Sequence, residues 1–246
     1  SFNAKEHRIM CFPHIINIAV QQILSKMTSV KAPEGKGDDY DLNVSNGDND
    51  REHGTRQTFE DACAQDPIDR LCNTVVAIRA SGQHRDAFMA WVKTGNENSW
   101  FMNKGQAVQI APKQLLQDIH TRWDSTYQII RRCIEMHLAI NSFIKCPVGD
   151  LEHLALTKME WDVLQEFTYI LSFPHAVQQV LSGEKTPLLA GIIPVFEVFI
   201  TGWEKLSTKW KHLACFIQPG LDRAYKYYSR TDNMNAYVVG MCMFIN

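Results

Sequence analysis

Apolar residues recur at three- and four-residue intervals along most of this chain, and the polar breaks between those runs divide it into helices. From Pro13 onward, Ile16, Val20, Ile23 and Met27 share one helical face. The proline sits at a first-turn position, where its missing N–H costs nothing. The preceding Arg8-Ile-Met-Cys11 reads as the end of a strand. Asp66-Pro67 is a cap followed by a first-turn proline, and Leu71, Val75 and Ile78 form the face behind it. Ser81-Gly82 interrupts that helix, and Phe88, Trp91 and Val92 continue the pattern to residue 93 or so. A further helix is expected from Asp124, as its N-cap, through Tyr127, Ile130, Ile134 and Leu138 to Lys145, with Pro147 as its stop. Thr157-Lys158-Met159-Glu160 has the spacing of a capping box, and Trp161, Leu164, Phe167 and Leu171 give its helix an apolar face. Pro174, Pro187, Pro194 and Pro219 are expected to divide the remainder into helices, the last of them Leu221 to Tyr228 and Tyr237 to Phe244.

Two stretches break the pattern. Residues 31–60 set glycines among Asp, Asn, Ser and Glu with almost nothing apolar, a composition that does not offset the entropy of ordering a chain. Residues 94–112, rich in Asn, Gly and Gln, read as a second long connection. Strand signals are few, with at most a short strand near Arg8 to Cys11 and another before Arg122. The expected fold is therefore mainly α. Its division is a small α/β piece over 1–29, an acidic disordered loop over 30–65 and a helical domain over 66–246.

Composition refines this picture. Apolar residues make up 45% of the chain, enough for a substantial core. The longest uninterrupted apolar runs fall far short of the roughly 18–20 residues of a membrane span, so no membrane partner is expected. The opening Ser-Phe-Asn-Ala-Lys-Glu-His has no apolar stretch of the signal-peptide kind. Seven cysteines without paired spacing read as reduced thiols inside a cell, with Cys133 and Cys215 expected as small core fillers. The net charge of −2 hides an uneven distribution: residues 31–69 carry 4 basic and 11 acidic side chains, while 70–150 carry 10 basic and 6 acidic. A mildly positive module beside an acidic loop is compatible with touching phosphate.

The candidate chemistry centres on Thr121-Arg122-Trp123-Asp124-Ser125-Thr126-Tyr127. Arg122 offers a planar, permanently charged fork for phosphate, and Trp123 a face on which a base stacks. The alternative is structural: Trp123 anchors the start of a helix to the core and Arg122 pairs with a carboxylate. Cys11 and His14 have the look of half a zinc site, but no second close pair of ligands accompanies them. No G-x-S-x-G, phosphate-binding loop, dinucleotide fingerprint or H-E-x-x-H occurs; Gly183-Glu184-Lys185-Thr186 lacks the preceding glycine-rich turn.

The Thr121–Tyr127 segment resembles the TRW[ND]STY element of hAT-superfamily DNA transposases, and Cys11-Phe-Pro-His14 with the following Ile-Ile-Asn-Ile-Ala-Val resembles their C-x-x-H-x-x-N-x-x-V element. Trp161 to Leu171, Leu181-Ser182-Gly183, Thr186-Pro187-Leu188 and Ile193-Pro194-Val195-Phe196 resemble the series found in that superfamily's helical insertion domain. The order Thr186-Pro187 departs from its P-T-L. Lys226-Tyr227-Tyr228 resembles the K-Y-Y element that follows. The resemblance implies the helical insertion domain of a ribonuclease-H-like transposase. It places Trp123 beside a DNA cleavage site and His14 near the scissile phosphate, with Cys11 and Asp124 supporting those motifs. It also implies DNA transposon ends as the partner, a nuclear location, and homo-oligomerisation through a C-terminal region.

The superfamily cuts DNA with three carboxylates that hold two Mg²⁺ (or Mn²⁺) ions. Its second and third acidic motifs are expected to lie before Ser1 and beyond Asn246. The chain is thus expected to need no cofactor of its own and not to cleave DNA alone. The other expectation is a helical scaffold, or a decayed transposon relic, without DNA binding.

Overall fold

The computed structural model describes residues 11–28, 57–117, 123–146, 151–181 and 188–229, with side chains omitted for 188–192. The fold is mainly α. In chain order its helices are α1 (Phe12–Thr28), α2 (Phe59–Ala64), α3 (Pro67–Ile78), α4 (Gly82–Glu97), α5 (Trp123–Glu135), α6 (His137–Ile144), α7 (Lys158–Leu181), α8 (Leu188–Lys209) and α9 (Ala214–Tyr228). Helix α7 is central and packs against α1, α2, α3, α5 and α8, while α9 closes the bundle against α1 and α8. One continuous core runs through all of them, from Phe12 to Ala224.

The expected caps form. Asp66 accepts from the Asp69 N–H at 3.0 Å with Pro67 in the first turn, and Leu71, Val75 and Ile78 are buried behind it. A cap not expected from the sequence also forms at Ser81, which accepts from the His84 N–H at the start of α4. At the start of α7 the Thr157 hydroxyl accepts from the Glu160 N–H at 3.2 Å, and Glu160 returns to the Thr157 N–H at 2.7 Å.

Several boundaries differ from the sequence reading. The α1 helix shares the core of the other helices, with Ile15, Ile16, Ala19, Val20, Ile23 and Met27 all buried in it. Its close approach to α9 depends on Gly220: a Cβ there would lie 2.6 Å from the Ile23 side chain and 3.0 Å from Trp203. The last residues assigned to the acidic loop are helical instead. Thr58 and Asp61 form a capping box for α2, and the hydrogen bonds from Thr58 lower the Asp61 carboxyl below its usual range. The rest of that loop, the residues Arg8 to Met10, Pro187 and the segment Tyr237 to Phe244 lie outside the described residues.

The expected single helix from Asp124 to Lys145 is broken at Met136. Its φ of −114° and ψ of 10° leave the helical region, and its N–H closes on Cys133 three residues back. The connection over 94–112 is also more ordered than its composition suggests. It holds a hairpin, β1 (Met102–Asn103) with β2 (Gln106–Ala107), whose turn residues Lys104 and Gly105 both have positive φ. That is the twist a two-residue hairpin turn requires. Asn96 clamps the segment, donating to the Ile110 carbonyl and accepting from its N–H at 2.8 and 2.9 Å.

The prolines are the largest surprise. Pro174, Pro194 and Pro219 lie inside α7, α8 and α9 rather than between helices. A proline at 174 removes the N–H that would close on the Ile170 carbonyl. The fold supplies another donor, because the indole Nε1 of fully buried Trp203 bonds to that same carbonyl at 2.9 Å. Trp203→Phe is therefore expected to cost about 1–3 kcal/mol by leaving a buried acceptor unpaired. Pro174→Ala should recover part of that loss in the Trp203→Phe background and not in the wild type. A double-mutant cycle in urea measures the coupling, and strictly additive effects would show that the two sites are independent.

Candidate functional site

Trp123 opens α5 and is 3% exposed, so its ring belongs to the core and its face is not open to a base in this arrangement. In this arrangement the ring serves as a helix-start anchor. Asp124 is not the N-cap but sits in the first turn of α5, where its Oδ1 meets His175 Nδ1 on α7 at 2.6 Å. Tyr127, one turn further on, packs against the same imidazole with ring centroids 4.6 Å apart. The start of α5 is thus fastened to the middle of α7 by a polar contact and a ring contact. Nothing in the spacing of Asp124 and His175, which are 51 residues apart, pointed to that pairing.

Arg122 lies outside the described residues. Cys11 and His14 are both exposed at the start of α1, and the Cys11 carbonyl accepts the first helical bonds, from His14 and Ile15 at 3.0 and 3.1 Å. The His14 side chain is exposed on the first turn of α1. Helices α1 and α5 pack together, but among the described residues no hydrogen bond or ring contact joins His14 to Trp123 or Asp124. Among the described residues no three His, Cys, Asp or Glu side chains stand close enough to hold a metal, so this donor set does not fit a two-metal centre.

The buried thiols are poor nucleophile candidates. Burial pushes Cys63 up to about 12 and raises Cys133 as well. Cys215 was expected in the core with Cys133 but is exposed, its thiol bonded to the His212 carbonyl. Lys226-Tyr227-Tyr228 forms the last turn of α9, and there the Tyr228 hydroxyl donates to Glu197 and the ring stacks beside Phe196. Both contacts tie α9 to α8.

A concavity elsewhere in the fold escaped the sequence reading. The segment leading out of the hairpin, residues 108–117, is strapped down by basic side chains. Arg79 bonds to the Leu115 carbonyl, Arg132 to the Gln114 carbonyl at 2.7 Å, and Lys113 to Glu135 at 2.9 Å. Between this strap, the end of α3 and the start of α4 lies a cavity of about 250 Å³, lined by Cys72, Val75, Val76, Arg79, Arg85 and Gln117 among others. Its one sequence signal was a pair of arginines flanking the Ser81-Gly82 break.

Residues 61–170 match the family model of the ZBED1 RNase-like helical domain. This segment is similar to a helical domain of the hAT/ZBED transposase-derived family. It runs from α2 into α7 and includes Trp123, Asp124, Arg79 and Arg85, while Cys11 and His14 fall outside it. No curated protein and no solved structure matches the chain. None of the described helices is long and apolar enough to cross a membrane.

Proposed function

We propose that this chain is part of a hAT-type transposase-derived protein and contributes DNA-end handling without cleaving DNA itself. The observation that carries the reading is the family match over 61–170, which contains the Trp123-Asp124 element and the more basic part of the chain. In this reading the described helices form a platform. Buried Trp123 and the Asp124–His175 contact hold the start of α5 in place, so that the adjoining Arg122 is presented to a DNA phosphate. Exposed His14 is a second contact. Transposon ends in the nucleus are the target, and self-association belongs to the C-terminal side of the parent protein. Mg²⁺ or Mn²⁺ belongs to the parent's catalytic centre and not to the residues described above.

Fluorescence anisotropy with a single-stranded or hairpin oligonucleotide tests this. Binding is expected to be weak, with a Kd of about 10⁻⁴–10⁻⁶ M near physiological salt, and to weaken steadily as salt rises. Arg122→Ala should weaken it without shifting the melting temperature. Absence of binding at low salt would favour the other reading, a helical scaffold or transposon relic. The burial of Trp123 is the observation that speaks for that second reading. Mg²⁺-dependent nicking of DNA by the chain would overturn the non-catalytic part.

A further inference from the structure

We propose that the arginine-lined cavity between the end of α3, the start of α4 and Gln117 holds a phosphodiester of single-stranded nucleic acid; this rests on the DNA-handling reading above and gives it a second contact point. The cavity is lined by two arginines, Arg79 and Arg85, and by no carboxylate among the described residues. Several other cations of the fold are paired. Arg70 meets Glu160, and Arg131, Arg132 and Lys113 all converge on Glu135. Arg79 and Arg85 have no acidic partner among the described residues. Arg79 donates to the Leu115 carbonyl through one terminal nitrogen, and Arg85 reaches the Arg79 carbonyl at a long 3.4 Å. Each guanidinium carries five N–H donors, so most remain uncommitted.

Two permanent positive charges with spare donors in one concavity suit a doubly acceptor anion such as phosphate. Much of the remaining lining is apolar: Val75, Ala80, Ile129 and Val76, the last 61% exposed. An exposed valine beside two arginines fits the sugar or base face of a nucleotide better than it fits an inorganic ion. Gln117 also lines the cavity, and its side-chain amide adds donors for an anion. A free nucleotide offers the same phosphate chemistry. The strand is favoured because the DNA-handling reading supplies one and because the lining includes the exposed Val76.

Arg85→Gln tests the proposal, because Arg85 is half-exposed and its 3.4 Å bond contributes little to folding. Lys205→Gln, exposed on α8, removes the same charge elsewhere. Binding of an oligo-dT and of free dTMP is measured for the whole chain across a salt series, with melting temperature as the folding control. Arg85→Gln is expected to weaken oligo-dT about tenfold, as for loss of one charged hydrogen bond. It should also flatten the salt dependence by about 0.7 of a log unit per log unit of salt. Lys205→Gln should do neither. Unchanged oligo-dT binding by Arg85→Gln would overturn the site and leave the DNA-handling reading standing. Tight dTMP binding that oligo-dT does not displace would overturn the assignment to a strand. Failure of the wild type to bind oligo-dT at low salt would remove both the general reading and this site.

Discussion

Trp123→Ala is expected to lower the stability of the protein by about 3–5 kcal/mol, the loss usual for a large aromatic taken out of a core. At this chain length that corresponds to a drop of roughly 6–20 °C in melting temperature. The ring is 3% exposed at the first position of α5, and the next residues are held by His175, so the helix start has little freedom to close around the void. A Trp acting as a base platform would behave differently: its loss would remove about 1–3 kcal/mol of binding and leave folding intact. Urea denaturation and oligonucleotide affinity measured on one variant separate these outcomes. An unchanged midpoint with a large loss of affinity would mean that the ring leaves the core when DNA binds. Trp123→Phe, which keeps most of the apolar volume, should sit between wild type and Ala in stability. If DNA affinity falls only as far as the unfolded fraction rises, Trp123 acts on DNA solely by placing Arg122.

That contrast shows where sequence reading stops. The caps at Asp66 and Thr157 were legible because each depends on residues within one turn of one another, and so were the buried faces of α3 and α7. What was not legible depends on partners far apart in the chain. Pro174 reads locally as a helix end. It is tolerated inside α7 because a Trp 29 residues later supplies the missing donor. Asp124 reads locally as a cap, but His175 claims it. The hairpin at 102–107 was hidden because its two-residue strands are too short to show alternation, although Lys104-Gly105 was a usable turn signal. For the candidate site, the residue types pointed to phosphate and base chemistry around 122–124. Burial then divided them, since side-chain type alone does not say which way a Trp at a helix start faces.

Arg70→Ala is the other substitution expected to cost about 3–5 kcal/mol, and the reason lies in what it leaves behind. Glu160 is completely buried at the start of α7, with one carboxylate oxygen on the Thr157 N–H and the other on the Arg70 guanidinium. Arg70 also donates to the Ala155 carbonyl at 2.7 Å, and one turn later the Thr74 hydroxyl donates to the Leu154 carbonyl at 3.1 Å. The α3 helix, the chain before α7 and the α7 cap are therefore joined through one charge pair. Removing Arg70 strands a carboxylate away from water, and that desolvation is the larger part of the expected cost. Replacing Glu160 by glutamine keeps the shape and removes the charge. Arg70→Ala combined with Glu160→Gln is thus expected to be more stable than Arg70→Ala alone, even though it carries one more substitution. The sign of that difference is the decisive reading in chemical denaturation. If Arg70→Ala instead costs under about 1 kcal/mol, as an exposed ion pair does, then water reaches Glu160 through the 31% exposed Arg70 side and the pair is a surface contact in energetic terms.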